Sequence, residues 1–485
     1  MRRDMLAAAR AGADAVELRL DYLQPLPSPE ALRRLLAEAP LETIATCRPL
    51  RQGGRFAGKE ADRLKILSQA ADMGASFLDV EMDVPVADRP AGATILSHHD
   101  FDRCPADLDR IASQLKASGG SVGKIAFAAQ GPEDALRALD ILRAASKPTI
   151  ALAMGEEGVL SRILARKFGA FGTFAALEGG AESAPGQPTL RQFKDLYGWD
   201  RIGPATEVYG VIGCPVAHSM SPAVHNGAFA AEGLAAVYVP VLIQPGAENF
   251  DRFMDSLRAR PWLDWRGLSV TIPHKENALR YVGADRCEEL ARRIGAVNTI
   301  TLGTDGALRG DNTDYAAALE ALCAAMGIGR EALAGRPVAV IGAGGAARAI
   351  VAGLAHAGAA VTVYNRTLAR AEELAGEFGC SAAGFDAAAR TGAEVLINCT
   401  PIGMWPHVDN CPLEAIPPAV RVVFDTIYNP LGTRLLQLAK DARCVAIPGL
   451  EMFVQQAVAQ FQIWTGRNAP VSVMREVVRK RLERS

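Results

Sequence analysis

Seven short apolar runs recur along the first part of the chain, and they restrict its fold more than any other feature. They are AVELRL (15–20), ETIATCR (42–48), FLDVEM (77–82), TILSHH (94–99), VGKIAF (122–127), TIALAM (149–154) and FGTFAAL (171–177). Amphipathic segments such as ADRLKILSQAADMG and PEDALRALDILRAAS separate them. The latter opens on Pro132 followed by two acids, a good helix start. Buried strands alternating with helices read as βαβ units around a parallel sheet. Seven such repeats in about 180 residues point to a (β/α)8 TIM barrel rather than an open sheet. A complete barrel needs one more strand before the helix at Met5–Ala13, so the first strand is expected to be missing.

The alternation restarts after a Gly- and Pro-rich stretch, Pro185 to Pro204, which places a boundary near residue 203. A fresh strand, VYGVIG (208–213), opens the second half, and a further α/β unit opens at PVAVIGAGGAARAI (337–350). The tail from Gly449 reads as helix that packs back on the earlier unit. The expected domains are 1–203, then 204–318 completed by 449–485, then 319–448. The formal net charge is −2, from 52 basic and 54 acidic residues, with no long run of one sign. That balance argues against a nucleic-acid or polybasic membrane surface. No stretch of about 18 apolar residues is present, so no membrane span is expected. Nine cysteines are scattered without a C-x-x-C pair, which speaks against a metal ribbon and for a reducing, cytoplasmic setting.

Polar residues fall near the C-terminal ends of the first-half runs: Glu17, Arg19, Arg48, Asp79, Glu81, His99 and Lys124. Barrel enzymes place their chemistry there. Lys124 interrupts an otherwise apolar run, as a snorkelling lysine or as an amine nucleophile towards a ketone. His98 and His99 close the preceding strand, each readable as an inert, hydrogen-bonded core histidine or as a proton carrier near neutral pH.

The segments ELRLDYL, TCRPLRQGGRF, SHHDF, GKIAF, AMGEEGVLSR and SAPGQ, in that order, resemble type I 3-dehydroquinate dehydratase through nearly all of residues 13–190. The resemblance implies that Lys124 forms an imine with the C3 ketone of 3-dehydroquinate and that His99 removes the C2 proton. It implies that Glu17, Arg19, Arg48, Arg162, Ser183 and Gln187 hold the substrate, with Met154 near the ring. The family commonly carries an acid where this chain has Gln52. With that carboxylate gone, either Asp79 compensates or the histidine is less basic.

In the second half, Gly342-x-Gly344-x-x-Ala347 follows a strand and opens a helix, as a dinucleotide turn does. The next strand, AVTVYN, ends on Asn365-Arg366-Thr367 with Arg370 after it, where an NAD site would carry an acid. Arginine pairs with a 2′-phosphate, so NADP is expected. HSMSP, IPHKE, GAVNT, DNTD and GAGGA-with-NRT resemble shikimate dehydrogenase over about residues 207–480. The resemblance implies Lys275 and Asp314 as the catalytic pair while hydride moves between NADPH and C3. Ser219, Ser221, Thr271, Asn298, Asn312, Tyr428 and Gln456 would bind the substrate. Gly342, Ala343, Gly344, Gly345 and Ala346 would cradle the cofactor, with Thr400, Gly403, Met404 and Gly449 along the nicotinamide. Tyr315 and Glu451 stand where many members have glycine, and are expected to alter packing rather than reaction type.

The two halves together imply a bifunctional enzyme of the shikimate pathway acting on small molecules, without a metal, on consecutive steps. The alternative is that only the second half is catalytic and the barrel is a degenerate scaffold.

Overall fold

The structure, a computed structural model, describes residues 1–179 and 186–483. The chain divides into two compact units. One holds residues 1–208, 212–219 and 235–264; the other holds 209–211, 220–234 and the chain from 265 on.

In the first unit, six of the seven runs form one parallel sheet in consecutive order: β1 (Ala15–Arg19), β2 (Glu42–Thr46), β3 (Phe77–Glu81), β4 (Thr94–Asp100), β5 (Val122–Ala128) and β6 (Thr149–Met154). This is the strand order of a barrel wall. Helices Glu60–Asp72, Leu108–Ala117 and Pro132–Ala144 lie between successive strands. The last buries Ala135, Leu136, Leu139 and Leu142, one apolar stripe at helical spacing. Ile44, Ile95, Val122, Ala126, Ile150 and Leu152 pack as one cluster from four of the strands. The register sets Ser97 opposite Lys124 and Glu81 opposite Ser97, so polar side chains of neighbouring strands meet at one level.

The seventh run does not form a strand. Phe171 N donates to Thr149 O at 2.9 Å, but Ala176 turns to residues 188–190, bonding Pro188 O and accepting from Leu190 N. With its backbone groups taken there, 171–177 makes only an isolated bridge, Ala176 with Thr189. Beside it, β1 and residues 169–177 border a cavity of about 800 Å³. The expected helix at Met5–Ala13 runs Arg2–Arg10.

The first unit also contains β8 (Ala236–Leu242) and the helix Ala247–Arg258, together with most of β7 (Glu207–Gly213). In the second unit, β10 (Thr299–Leu302) pairs antiparallel with both β9 (Trp265–Val270) and β11 (Leu308–Asp311). A wholly parallel sheet follows: β12 (Pro337–Ile341), β13 (Ala360–Asn365), β14 (Ser381–Gly384), β15 (Val395–Asn398), β16 (Val422–Asp425) and β17 (Val445–Pro448). Its order is β14-β13-β12-β15-β16-β17, so the winding reverses at β12 and opens a crevice beyond the strand ends. Apolar clusters cover both faces, as a parallel sheet requires. The tail is helical: Gly449–Thr465 packs on Thr313–Met326, and Val471–Leu482 on Ser221–Ala231. Among the described residues no helix is long and apolar enough to cross a membrane.

Candidate active sites

Two sites emerge, one in each unit. The first is a small cavity of about 60 Å³ whose lining includes Glu17, Arg19, Arg48, His99, Lys124, Met154, Arg162 and Gln187. Eight positions spread over 170 residues of chain therefore share one pocket. Ser183 lies outside the described residues.

Lys124 points from β5 into this pocket and is only 4% exposed. Its Nζ donates to Asp79 Oδ2 at 2.8 Å, lies 3.9 Å from Glu17 Oε1, and sits 4.2 Å from the centre of the Phe174 ring. Asp79 also accepts from Arg48 Nη2 at 2.9 Å. Two cations on one buried carboxylate hold Asp79 well below the usual range, against the opposing effect of burial. Arg48 in turn donates to Glu81 Oε1 at 2.8 Å, and the fully buried Arg63 reaches Glu81 Oε2 at 2.6 Å. A chain of alternating charge thus runs Arg63–Glu81–Arg48–Asp79–Lys124.

Asp79 and Glu81 were visible in the sequence as strand-end acids, but their partners were not. Arg63 gave no signal, because it sits in an ordinary amphipathic helix. His99 Nδ1 lies 3.4 Å from Gln52 Oε1. Burial first, then Arg48 and Lys124, push the imidazole well below its ordinary value of 6.5, and Asp79 only partly opposes them. Arg162 is 1% exposed, and among the described residues its Nε and Nη2 have no hydrogen-bond partner. Burial lowers its pKa to about 10. A desolvated guanidinium with unused donors is a seat for a carboxylate.

In the second unit, Lys275 starts the helix Lys275–Val282, and its Nζ donates to Asp314 Oδ2 at 2.6 Å. Asp314 stands in the first turn of Thr313–Met326, whose N-cap is Asn312; the Asn312 side chain accepts from Asp314 N at 3.0 Å. Asn298 holds the same turn, its Oδ1 accepting from Thr313 N at 2.8 Å. Gln460, absent from the sequence-derived set, accepts from Ser269 Oγ and donates to Thr299 Oγ1, both at 3.0 Å. Ser221 opens the helix Ser221–Ala231, and Thr271 O accepts from His274 N. The Tyr428 ring lies 5.1 Å from that of Phe453, tilted at 35° to it, and Gln456 donates to Phe453 O. Ser219 belongs to the other unit, on the turn whose amide donates to Val216 O.

The dinucleotide turn fits its cofactor. Gly342 has φ +112, and a Cβ there would come within 3.2 Å of the Cys399 backbone. Gly344 and Gly345 meet nothing within 4 Å, leaving Ala343 to Ala346 open at the start of Gly345–His356. Backbone donors at such a helix start suit a pyrophosphate. Asn365 Nδ2 bonds Thr367 O, and Arg366 and Arg370 are exposed. On the far side of the crevice, Thr400 bonds Asn398 Oδ1 through both its amide and its hydroxyl, at 3.0 and 2.7 Å. Asn398 is held by Asp425, itself fully buried and bonded to Thr433. Gly403 has φ +99, Met404 is exposed beside it, and Gly449 passes so close to Thr426 that an added Cβ would lie 2.3 Å from its carbonyl oxygen.

Known families match successive parts of the chain. Residues 1–204 match the type I 3-dehydroquinase family. Residues 211–300 match the shikimate dehydrogenase substrate binding domain, 325–400 shikimate/quinate 5-dehydrogenase, and 449–479 the shikimate 5′-dehydrogenase C-terminal domain. A bifunctional 3-dehydroquinate dehydratase/shikimate dehydrogenase of Arabidopsis thaliana, named as chloroplastic, is 39% identical over 97% of this chain and 80% of its own. A shikimate dehydrogenase (NADP(+)) of Methanothermobacter thermautotrophicus is 40% identical over 58% of this chain and 98% of its own. The crystal structure of Thermus thermophilus shikimate 5-dehydrogenase with NADP(H) and shikimate superposes with TM-score 0.50 at 37% identity, covering 56% of this chain and 99% of that one.

Proposed function

The chain belongs to the family of bifunctional 3-dehydroquinate dehydratase/shikimate dehydrogenases, and from that premise we propose how its residues divide the work. It is a dehydratase and an NADP-dependent shikimate dehydrogenase in one polypeptide. It turns 3-dehydroquinate into 3-dehydroshikimate and water, then reduces that product to shikimate. Residues 1–203 form the dehydratase, built on a TIM-barrel plan. Residues 204–318 with 449–485 form the substrate-binding domain of the reductase, and 319–448 its NADP domain. The family matches fall within these limits, except that the first runs one residue past its boundary.

In the dehydratase, the Lys124 amine adds to the C3 ketone and water leaves, forming a C=N bond. Protonated, that imine withdraws electrons and makes the C2 hydrogen acidic. His99 takes this proton, the electron pair forms the C1=C2 bond, and the C1 hydroxyl departs with the proton as water. Hydrolysis of the imine returns Lys124. Gln52 Oε1 accepts from His99 Nδ1–H, which leaves Nε2 as the base. Arg162 takes the carboxylate; Glu17, Arg19, Arg48, Ser183 and Gln187 hold the rest of the substrate.

In the reductase, the 342–346 turn with Asn365, Arg366, Thr367 and Arg370 would hold NADPH, which when bound would supply the hydride. Lys275 donates to the carbonyl oxygen as negative charge grows there and protonates it, while Asp314 orients the ammonium. Ser219, Ser221, Thr271, Asn298, Asn312, Tyr428 and Gln456 surround the substrate, and Thr400, Gly403, Met404 and Gly449 the nicotinamide. The nine cysteines are free, as suits a reducing compartment, and we place the chain in the cytoplasm.

The observation that carries this reading is Lys124: a buried amine sharing a pocket with an imidazole and a buried guanidinium, two of whose nitrogens are unmet among the described residues. The scaffold alternative gains no support from such a pocket. Supplying dehydroquinate with NADPH tests it: enone absorbance should rise and NADPH fall in sequence. Borohydride should trap a stable adduct on Lys124. Absence of that adduct, with the enone still formed, would refute the imine route.

A further inference from the structure

Tyr315 follows Asp314 directly, and its hydroxyl donates to Glu288 Oε1. The other oxygen of Glu288 accepts from Asn312 N at 3.5 Å. One carboxylate therefore grips the chain on both sides of Asp314. Glu288 is itself anchored, its amide donating to Gly310 O at 2.9 Å and its carbonyl accepting from Arg292 N at 3.1 Å. Asn312 Nδ2 is fixed on Ala296 O at 2.9 Å. The ring of Tyr315 lies against the dinucleotide helix: a Cβ added to Gly353 would come within 3.1 Å of Tyr315 Cβ and 3.2 Å of Cδ2. Burial and the neighbouring carboxylate push the phenol above its ordinary value, so it stays a donor throughout the working pH range.

We propose that Tyr315 and Glu288 form a positioning pair for the reductase, a brace that sets Asp314 against Lys275 and ties that turn to the dinucleotide helix. Neither residue touches the reacting atoms. The inference rests on the reading of Lys275 and Asp314 as the catalytic pair. A merely structural contact would lower thermal stability and leave turnover alone. A positioning contact lowers kcat and leaves the KM for NADP nearly unchanged, because the cradle at 342–346 is intact.

The test uses the whole chain with shikimate and NADP. Tyr315→Phe removes one oxygen and keeps the ring; Glu288→Gln keeps the shape and an acceptor. Tyr315→Phe is expected to lower kcat about tenfold, Glu288→Gln somewhat less, and the double variant no more than Tyr315→Phe alone, since contacts in one network are not additive. The proposal is overturned if both single variants turn over within about twofold of the parent, or if the double variant loses the product of the two effects. Lys275→Met separates the premise: if it still reduces dehydroshikimate, the catalytic pair is wrong; if it is inactive while Tyr315→Phe is normal, only the brace fails.

Discussion

At the scale of single residues, both sites are lysines whose partners decide what they do. Lys124→Met should abolish dehydration and the borohydride adduct yet leave shikimate oxidation intact, which the two assays read separately. His99 must be neutral to act as a base. Its pKa lies well below 6.5, so it stays neutral into mildly acidic solution, and the acid limb of dehydratase kcat/KM should lie below pH 6.5. Gln52→Glu puts a carboxylate beside Nδ1, which favours the imidazolium and should move that limb up by about one pH unit. Asp79, also held below its ordinary value, has a stability consequence. Its contribution is complete above 3.8, the unfolded value, and is lost as pH falls through the lower folded one. Arg366→Ala should cost roughly 10-fold or more in kcat/KM with NADPH while leaving the rate with NADH unchanged, because a charge-assisted bond is worth about 1.5–3 kcal/mol. The lysines, the histidine and the arginines were legible as residue types at strand and helix ends. Arg63 and Gln460 were not, since nothing in the local chain distinguishes a buried arginine or glutamine from an exposed one.

At the scale of elements, glycine shows where backbone meets backbone. Gly449 starts the helix Gly449–Thr465 with its Cα against Thr426 and Ile427. Gly449→Ala should force that helix start away from the β16 end, lowering the melting temperature by an amount equal to about 1–3 kcal/mol and weakening NADP binding, as thermal melts with and without cofactor would read. The strand–turn–helix at 337–356 could be read directly, because a tight turn needs its glycines wherever it occurs. The run at 171–177 was misjudged for the complementary reason. Apolar content makes a strand possible, but only a partner strand completes it, and Ala176 bonds Pro188 and Leu190 instead.

At the scale of the molecule, the first unit extends past the sequence boundary near 203. Lys167, 3% exposed, donates to Pro204 O, Thr206 O and Asp264 Oδ2 at 2.8, 2.8 and 2.9 Å. Arg260 binds Asp140 through two nitrogens, and Arg143 lies over Trp262. Residues 235–264 are thus fastened to the first 208 within one unit. Lys167→Met removes these three bonds from a buried site, and should cost about 1–3 kcal/mol in chemical denaturation of the whole chain. For the same reason, residues 1–203 expressed alone should melt well below the full-length protein.

The amino-acid sequence by itself determined the alternation of strands and helices, and the dinucleotide turn with its preference for a 2′-phosphate. These are local properties, fixed by spacing, by glycine conformation and by the residues at strand ends. Only the tertiary structure decided which charges meet. Lys124 and Asp79 stand 45 residues apart, and Tyr315 and Glu288 27 apart. Such pairs depend on strand register and helix placement, which arise from packing the whole core and are written in no single segment of the chain.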